Sequence, residues 1–170
     1  MSKYLRKLLR TESYSIVVSQ YKRSNFGVGD EENLHWAIVI MTDEDKLEGR
    51  MYQAVNRIND TRDGVTWDIS TAEKVSLERS SRCLGGVCIG VVKQKELSTL
   101  DKALLENVPH AKSAEWNCRD WVMECIAIMK DEGWVTSRIY HQQDLIPALK
   151  QASALTVEVG QPALVEFDDA

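Results

Sequence analysis

Two residues in this chain combine a reactive side chain with a setting that could use it. Cys118 follows Asn117, a good helix N-cap, and opens the run CRDWVMECIAIMKDE, which has helical apolar spacing and is closed by Gly133 at the C′ position. A thiol at a helix N-terminus meets unpaired amide hydrogens and the positive end of the helix dipole, and both favour thiolate. A free cysteine titrates near ~8.5, and such a placement beside an imidazole lowers it to between roughly 3.5 and 7.5. The other cysteines read differently: Cys83 in a loop, Cys88 in an apolar strand, and Cys125 two turns into the helix. The candidate base is His35, inside the strand-like run LHWAIVIM, where a buried imidazole needs a hydrogen-bond partner. Against this stands a packing role for both residues, since Cys118 also begins the stripe Cys118, Trp121, Val122, Cys125, Ile128 and Met129.

The elements that must position the pair can be read in order. SYSIVVSQY, residues 13–21, is β-branched and aromatic, and Asn25, Gly27, Gly29 and Asp30 follow with turn chemistry. LHWAIVIM, residues 34–41, predicts a strand buried on both faces. TDEDKLEG turns the chain, and RMYQAVNRI, residues 50–58, returns it. Asn59, Asp60, Asp63 and Gly64 mark another turn before TWDIS, a short strand, and GVCIGVV, a firmer one. Ser98 is placed to cap a helix over Thr99 to Asn107 with Asp101 in its first turn, and the Cys118 helix comes next. A last helix is expected from Asp144 to Ala152, with Pro147 near its first turn, and then LTVEV as an edge strand. Residues 1–160 are thus expected to form one α+β domain, and 161–170, ending in EFDDA, an acidic mobile tail.

The pair of strings HWAIVI and, much later, WNCRDWV resembles the lecithin:retinol acyltransferase family and the permuted papain-like isopeptidases. In these a histidine strand precedes a helix that opens with Asn-Cys. The resemblance covers roughly residues 14–135. It implies a permuted papain-like fold: a central antiparallel sheet with the nucleophile-bearing helix packed against it. It also implies that Cys118 is the nucleophile, His35 the general base, and Asn117 the cap beside the substrate. The family commonly carries a third polar residue, often a second histidine, on the strand after the first. Here that strand offers Gln53, which can accept a hydrogen bond from the ring. Asn56 is the alternative, at an offset that places it on the other strand face. Arg119 and Asp120 stand where the family usually has Glu-His. The implied reaction is cysteine-dependent hydrolysis or acyl transfer through a thioester, on a peptide, an isopeptide-linked protein, a lipid or a small-molecule acyl compound, without a cofactor. The other functional class is a binding protein that keeps the scaffold without turnover.

Composition narrows the alternatives. The formal charge is −5 over 170 residues with scattered basic side chains, which argues against nucleic acid. No apolar run approaches the roughly 18 residues that cross a bilayer, and the N-terminus lacks the pattern of a secretory signal, so a cytoplasmic location with free thiols is expected. MSKYLRKLLR could touch an anionic membrane surface or pack as a short helix. Cys83, Cys88, His110 and Cys118 lack the paired spacing of a zinc site, so no metal is expected. GGVCIG lacks the ending of a phosphate loop and reads as a turn into a strand, and His110 and His141 as surface residues. Trp36 should face away from His35 into the core, whereas Trp116, just before the cap, is a candidate wall for an apolar substrate.

Overall fold

Strands alternate sides, and this chain uses both. In the computed structural model, which describes residues 12–58 and 65–169, Ile16 and Val18 of β1 (Ser13–Tyr21) face one layer of core while Val17 faces another. β2 (His35–Asp43) repeats the pattern, with Trp36, Ile38 and Ile40 on the first face and Val39 and Met41 on the second. Such double burial is why both strands read as continuous apolar runs. β3 (Glu48–Ile58) and β4 (Val65–Ser76) extend the sheet on one side, β5 (Cys83–Lys93) and β6 (Leu164–Glu166) on the other, in the order β4-β3-β2-β1-β5-β6. The helices α1 (Leu97–Glu106), α2 (Cys118–Asp131) and α3 (Gln142–Val159) bring Leu100, Trp121, Val122, Leu145 and Leu149 into the core of the first face. The architecture is α+β.

Several expectations need correction. The sheet is mixed rather than antiparallel throughout, because β6 runs parallel to β5 after a long helical connection of the kind parallel strands require. β6 comes from residues expected to be a mobile tail, and Phe167 N–H continues the pairing to the Cys88 carbonyl at 3.0 Å. LTVEV is helical: α3 runs on to Val159 because Thr156 prolongs the buried stripe of Leu145, Leu149 and Ala152, and tertiary burial outweighs β propensity. Gly160, at φ 79°, then ends the helix in the left-handed conformation. Ser98 does not cap α1, which starts at Leu97 after a 3-10 turn, Gln94–Glu96. Asp101 instead pairs with Arg50 and accepts a hydrogen bond from Tyr52 Oη at 2.8 Å, tying α1 to β3. TWDIS proves to be part of a twelve-residue strand. Cys83 begins β5 rather than lying in a loop, and α2 buries Ile126 in place of the expected Ile128. The N-terminal MSKYLRKLLR and the turn with Asn59, Asp60, Asp63 and Gly64 lie outside the described residues.

No helix among the described residues is long and apolar enough to cross a membrane.

Candidate active site

The site forms where the sheet comes apart. β2 pairs with β1 as far as Tyr21↔His35, but with β3 only from Ile38↔Tyr52 onward. Beyond Tyr52, β3 stays paired with β4, from Gln53↔Ser70 to Ile58↔Val65, and the two strands leave β2 as an arm. The first turn of α2 meets the freed start of β2. Arg119, buried, donates from Nη1 to the Leu34 carbonyl at 2.7 Å, and the Trp36 amide hydrogen-bonds to the Cys118 sulfur.

Local sequence explains why α2 begins at the cysteine. Asn117 has extended backbone angles and its Oδ1 accepts from the Arg119 amide at 3.0 Å, while Asp120 reaches back to the Asn117 amide at 2.9 Å, completing a capping box. The other Asp120 oxygen accepts from Gln142 Nε2 at 2.8 Å, joining this turn to the start of α3. The Cys118 amide itself is in no hydrogen bond with a described residue, leaving a donor at the reacting atom.

His35 crosses the gap between the parted strands. Its Nε2 donates to Gln53 Oε1 at 2.7 Å, which leaves Nδ1 for the thiol of Cys118. Burial alone would raise the Cys118 pKa. Hydrogen bonding and charge from His35, the Trp36 amide and the Arg119 guanidinium outweigh it, and the net result is a thiol more acidic than usual. For the imidazole, burial favours the neutral ring and Arg23 adds to that effect. Cys118 and Gln53 prevail, and the His35 pKa is raised. The opposite shifts of the two groups favour a thiolate–imidazolium pair. The remaining cysteines go the other way: burial pushes the Cys83 thiol to about 11 and that of Cys88 to about 12, and it raises Cys125 further. All four are free.

Above the pair lies an open cleft of about 490 Å³, within the size range of small-molecule sites. His35, Cys118 and Asn117 line its floor, Ala54, Val55 and Trp67 the arm side, and Tyr21 to Ser24, Ser80 and Arg82 the opposite side. Trp116 does not line the cleft. It is buried, packs edge-on against Trp67 with ring centroids 5.3 Å apart, and donates from Nε1 to Glu124 at 2.8 Å, so the wall expected of Trp116 is formed by Trp67 in front of it. Asn56 is exposed and also lines the cleft, but Gln53 is the residue bonded to the ring. Trp36 is fully buried, donating to the Glu31 carbonyl at 3.1 Å, and His110 and His141 are exposed and away from the cleft. Sequence reading missed Trp67, Arg23 and Arg82. Trp67 was visible as the aromatic residue in TWDIS, whereas the arginines sit in loops without periodicity. Among the described residues no cluster of His, Cys, Asp and Glu has the arrangement of a metal site.

No curated protein and no solved structure matches this chain significantly. Residues 15–148, a span that holds His35, Gln53, Asn117 and Cys118, match a family described as "Family of unknown function (DUF6914)". The chain belongs to that family.

Proposed function

We propose that the protein is a cysteine-dependent hydrolase or acyltransferase of permuted papain-like architecture, acting on an amide, isopeptide or ester. One observation carries the reading: the Cys118 thiol, at the start of α2, interacts with the one imidazole whose far nitrogen is held by Gln53 at 2.7 Å. Nucleophile, base and orienting group then stand in the relation that activated nucleophiles require. The histidine strand preceding the cysteine helix, across a largely antiparallel sheet, supports the permuted architecture.

In the first step the Cys118 thiolate forms a bond to the substrate carbonyl carbon, and the electron pair moves to the carbonyl oxygen, which the Cys118 amide can receive. The tetrahedral adduct collapses, the bond to the leaving nitrogen or oxygen breaks, and the His35 imidazolium supplies that atom's proton. Neutral His35 then takes a proton from water, or from an acceptor amine or alcohol, which attacks the thioester. Expulsion of the sulfur restores the thiolate–imidazolium pair. Water as the attacking group makes a hydrolase, and an amine or alcohol makes a transferase.

The test is the rate of iodoacetamide labelling at each cysteine, located by mass spectrometry across about pH 4 to 10, in the wild type and in His35→Ala. Fastest labelling at Cys118, with an apparent pKa below that of a free thiol that rises on loss of His35, supports the proposal. An inert Cys118, or one indifferent to His35, refutes it and leaves a binding scaffold as the reading.

A further inference from the structure

The walls of the cleft differ in charge from the rest of the molecule. The chain carries −5 overall, yet the described residues lining the cleft include Lys22, Arg23 and Arg82 and no carboxylate. These three cations are exposed, and none of them forms an ion pair with a described residue. Lys22 and Arg82 are also fixed to each other through the backbone, the Lys22 amide donating to the Arg82 carbonyl at 2.9 Å. Arg23 lies close enough to His35 for its charge to act on the ring. That proximity opposes the imidazolium the proposed reaction needs, so on catalytic grounds alone a cation is a poor choice there. The same position suits a residue that meets a negatively charged substrate group. Facing the cations across the cleft are Ala54, Val55 and the half-buried Trp67, with no charge among them.

Resting on the acyl-transfer reading above, we propose that the substrate is a small acyl compound carrying an anionic oxyacid group, carboxylate or phosphate, held by Arg23 and Arg82, with an apolar portion against Trp67. The guanidinium groups present forked donors suited to either oxyacid. A cleft lined by one sign of charge also concentrates ligands of the opposite sign. The volume of about 490 Å³ accommodates a compact molecule.

The experiment compares iodoacetate, an anionic reagent, with neutral iodoacetamide. Both alkylate by the same displacement, in which the sulfur–carbon bond forms and iodide leaves. The iodoacetate-to-iodoacetamide rate ratio at Cys118, divided by that of N-acetylcysteinamide, is expected to be about tenfold above unity at low salt and to fall as salt is added. Arg23→Gln/Arg82→Gln should lower it at least threefold, on the order expected for removing two nearby charges. Lys93→Gln/Lys102→Gln, which removes the same charge away from the cleft, should leave it in place. Equal loss in both variants, or no preference in the wild type, overturns the anionic substrate while leaving the dyad standing.

A second readout does not depend on the thiol. Of the five tryptophans only Trp67 is not buried, so quenching by iodide relative to caesium reports mainly on the cleft wall. An iodide preference that disappears in Arg23→Gln/Arg82→Gln supports the anion site even if Cys118 proves inert. Its absence in the wild type counts against the site. Inorganic phosphate and acetate, tested as protectants of Trp67 against iodide, then separate the two oxyacid types, and protection by neither overturns the assignment.

Discussion

Removal of the Gln53 side chain probes the geometry most directly. Gln53→Ala deletes the acceptor 2.7 Å from His35 Nε2. A hydrogen bond to a charged group contributes about 1.5–3 kcal/mol. Because Gln53 is half-buried and its partner His35 lines an open cleft, water can replace part of it, and the lower end applies. That free energy is withdrawn from the imidazolium and not from the neutral ring, so the His35 pKa should fall. Loss of imidazolium in turn weakens its support of the thiolate, so the Cys118 pKa should rise. The raised His35 pKa contributes stability that is complete below about 6.5, the ordinary imidazole value, and is lost as pH rises through the folded value. The lowered Cys118 pKa contributes stability above the ordinary thiol value that is lost as pH falls through the folded one. Gln53→Ala therefore narrows the pH window of the ion pair from both sides. Iodoacetamide labelling of Cys118 against pH reads both limbs, with near-ultraviolet circular dichroism as the check on folding. Gln53→Glu should move the His35 limb upward instead, since a carboxylate stabilises imidazolium more than an amide does. Limbs that stay put in both folded variants would refute the orienting role of Gln53.

Other perturbations address the scaffold around the site. Cys83, Cys88 and Cys125 should resist alkylation in the native protein at neutral pH and react at ordinary rates in guanidinium chloride, because burial holds their thiols protonated; mass spectrometry of labelled peptides separates them from Cys118. Arg119→Met keeps much of the buried stem but leaves the Leu34 carbonyl without its donor, and should lower stability by about 1–3 kcal/mol in urea titration while slowing Cys118 labelling. A Cβ at Gly90 would overlap the Trp134 carbonyl, so Gly90→Ala should cost about 1–3 kcal/mol by the same titration. Under the proposed reaction, Trp67→Ala should raise KM for anionic acyl substrates with an apolar portion, with a smaller change in the intrinsic alkylation rate of Cys118.

Much of the site could be read before any fold was known, and the reasons are local. Asn117 and Asp120 encode the helix start in four consecutive residues, so the position of Cys118 at its first turn follows from capping chemistry alone. Gly133, at φ 78°, marks the other end for an equally local reason. The strand around His35 was legible because a sheet buried on both faces needs an unbroken apolar run. Gln53 could be named because the family resemblance implies a third polar residue on the strand after the histidine, and its Oε1 lies 2.7 Å from His35 Nε2.

Other features were decided only when distant segments met. Thr156 belongs to a helix because its neighbours in space complete a buried stripe, whatever the β propensity of LTVEV. Residues 164–166 are ordered because β5 offers an open edge, and Asp101 serves β3 rather than the dipole of its own helix because Arg50 and Tyr52 lie across from it. The parting of β2 from β3 depends on the start of α2 settling against β2, with Arg119 bound to Leu34 across 85 positions of sequence. From that parting come the cleft and the exposure of Trp67 to it, opposite Lys22, Arg23 and Arg82. Capping and strand patterning act over a few residues and are therefore written in the sequence, whereas a cleft is the space left between elements and exists only once they have packed.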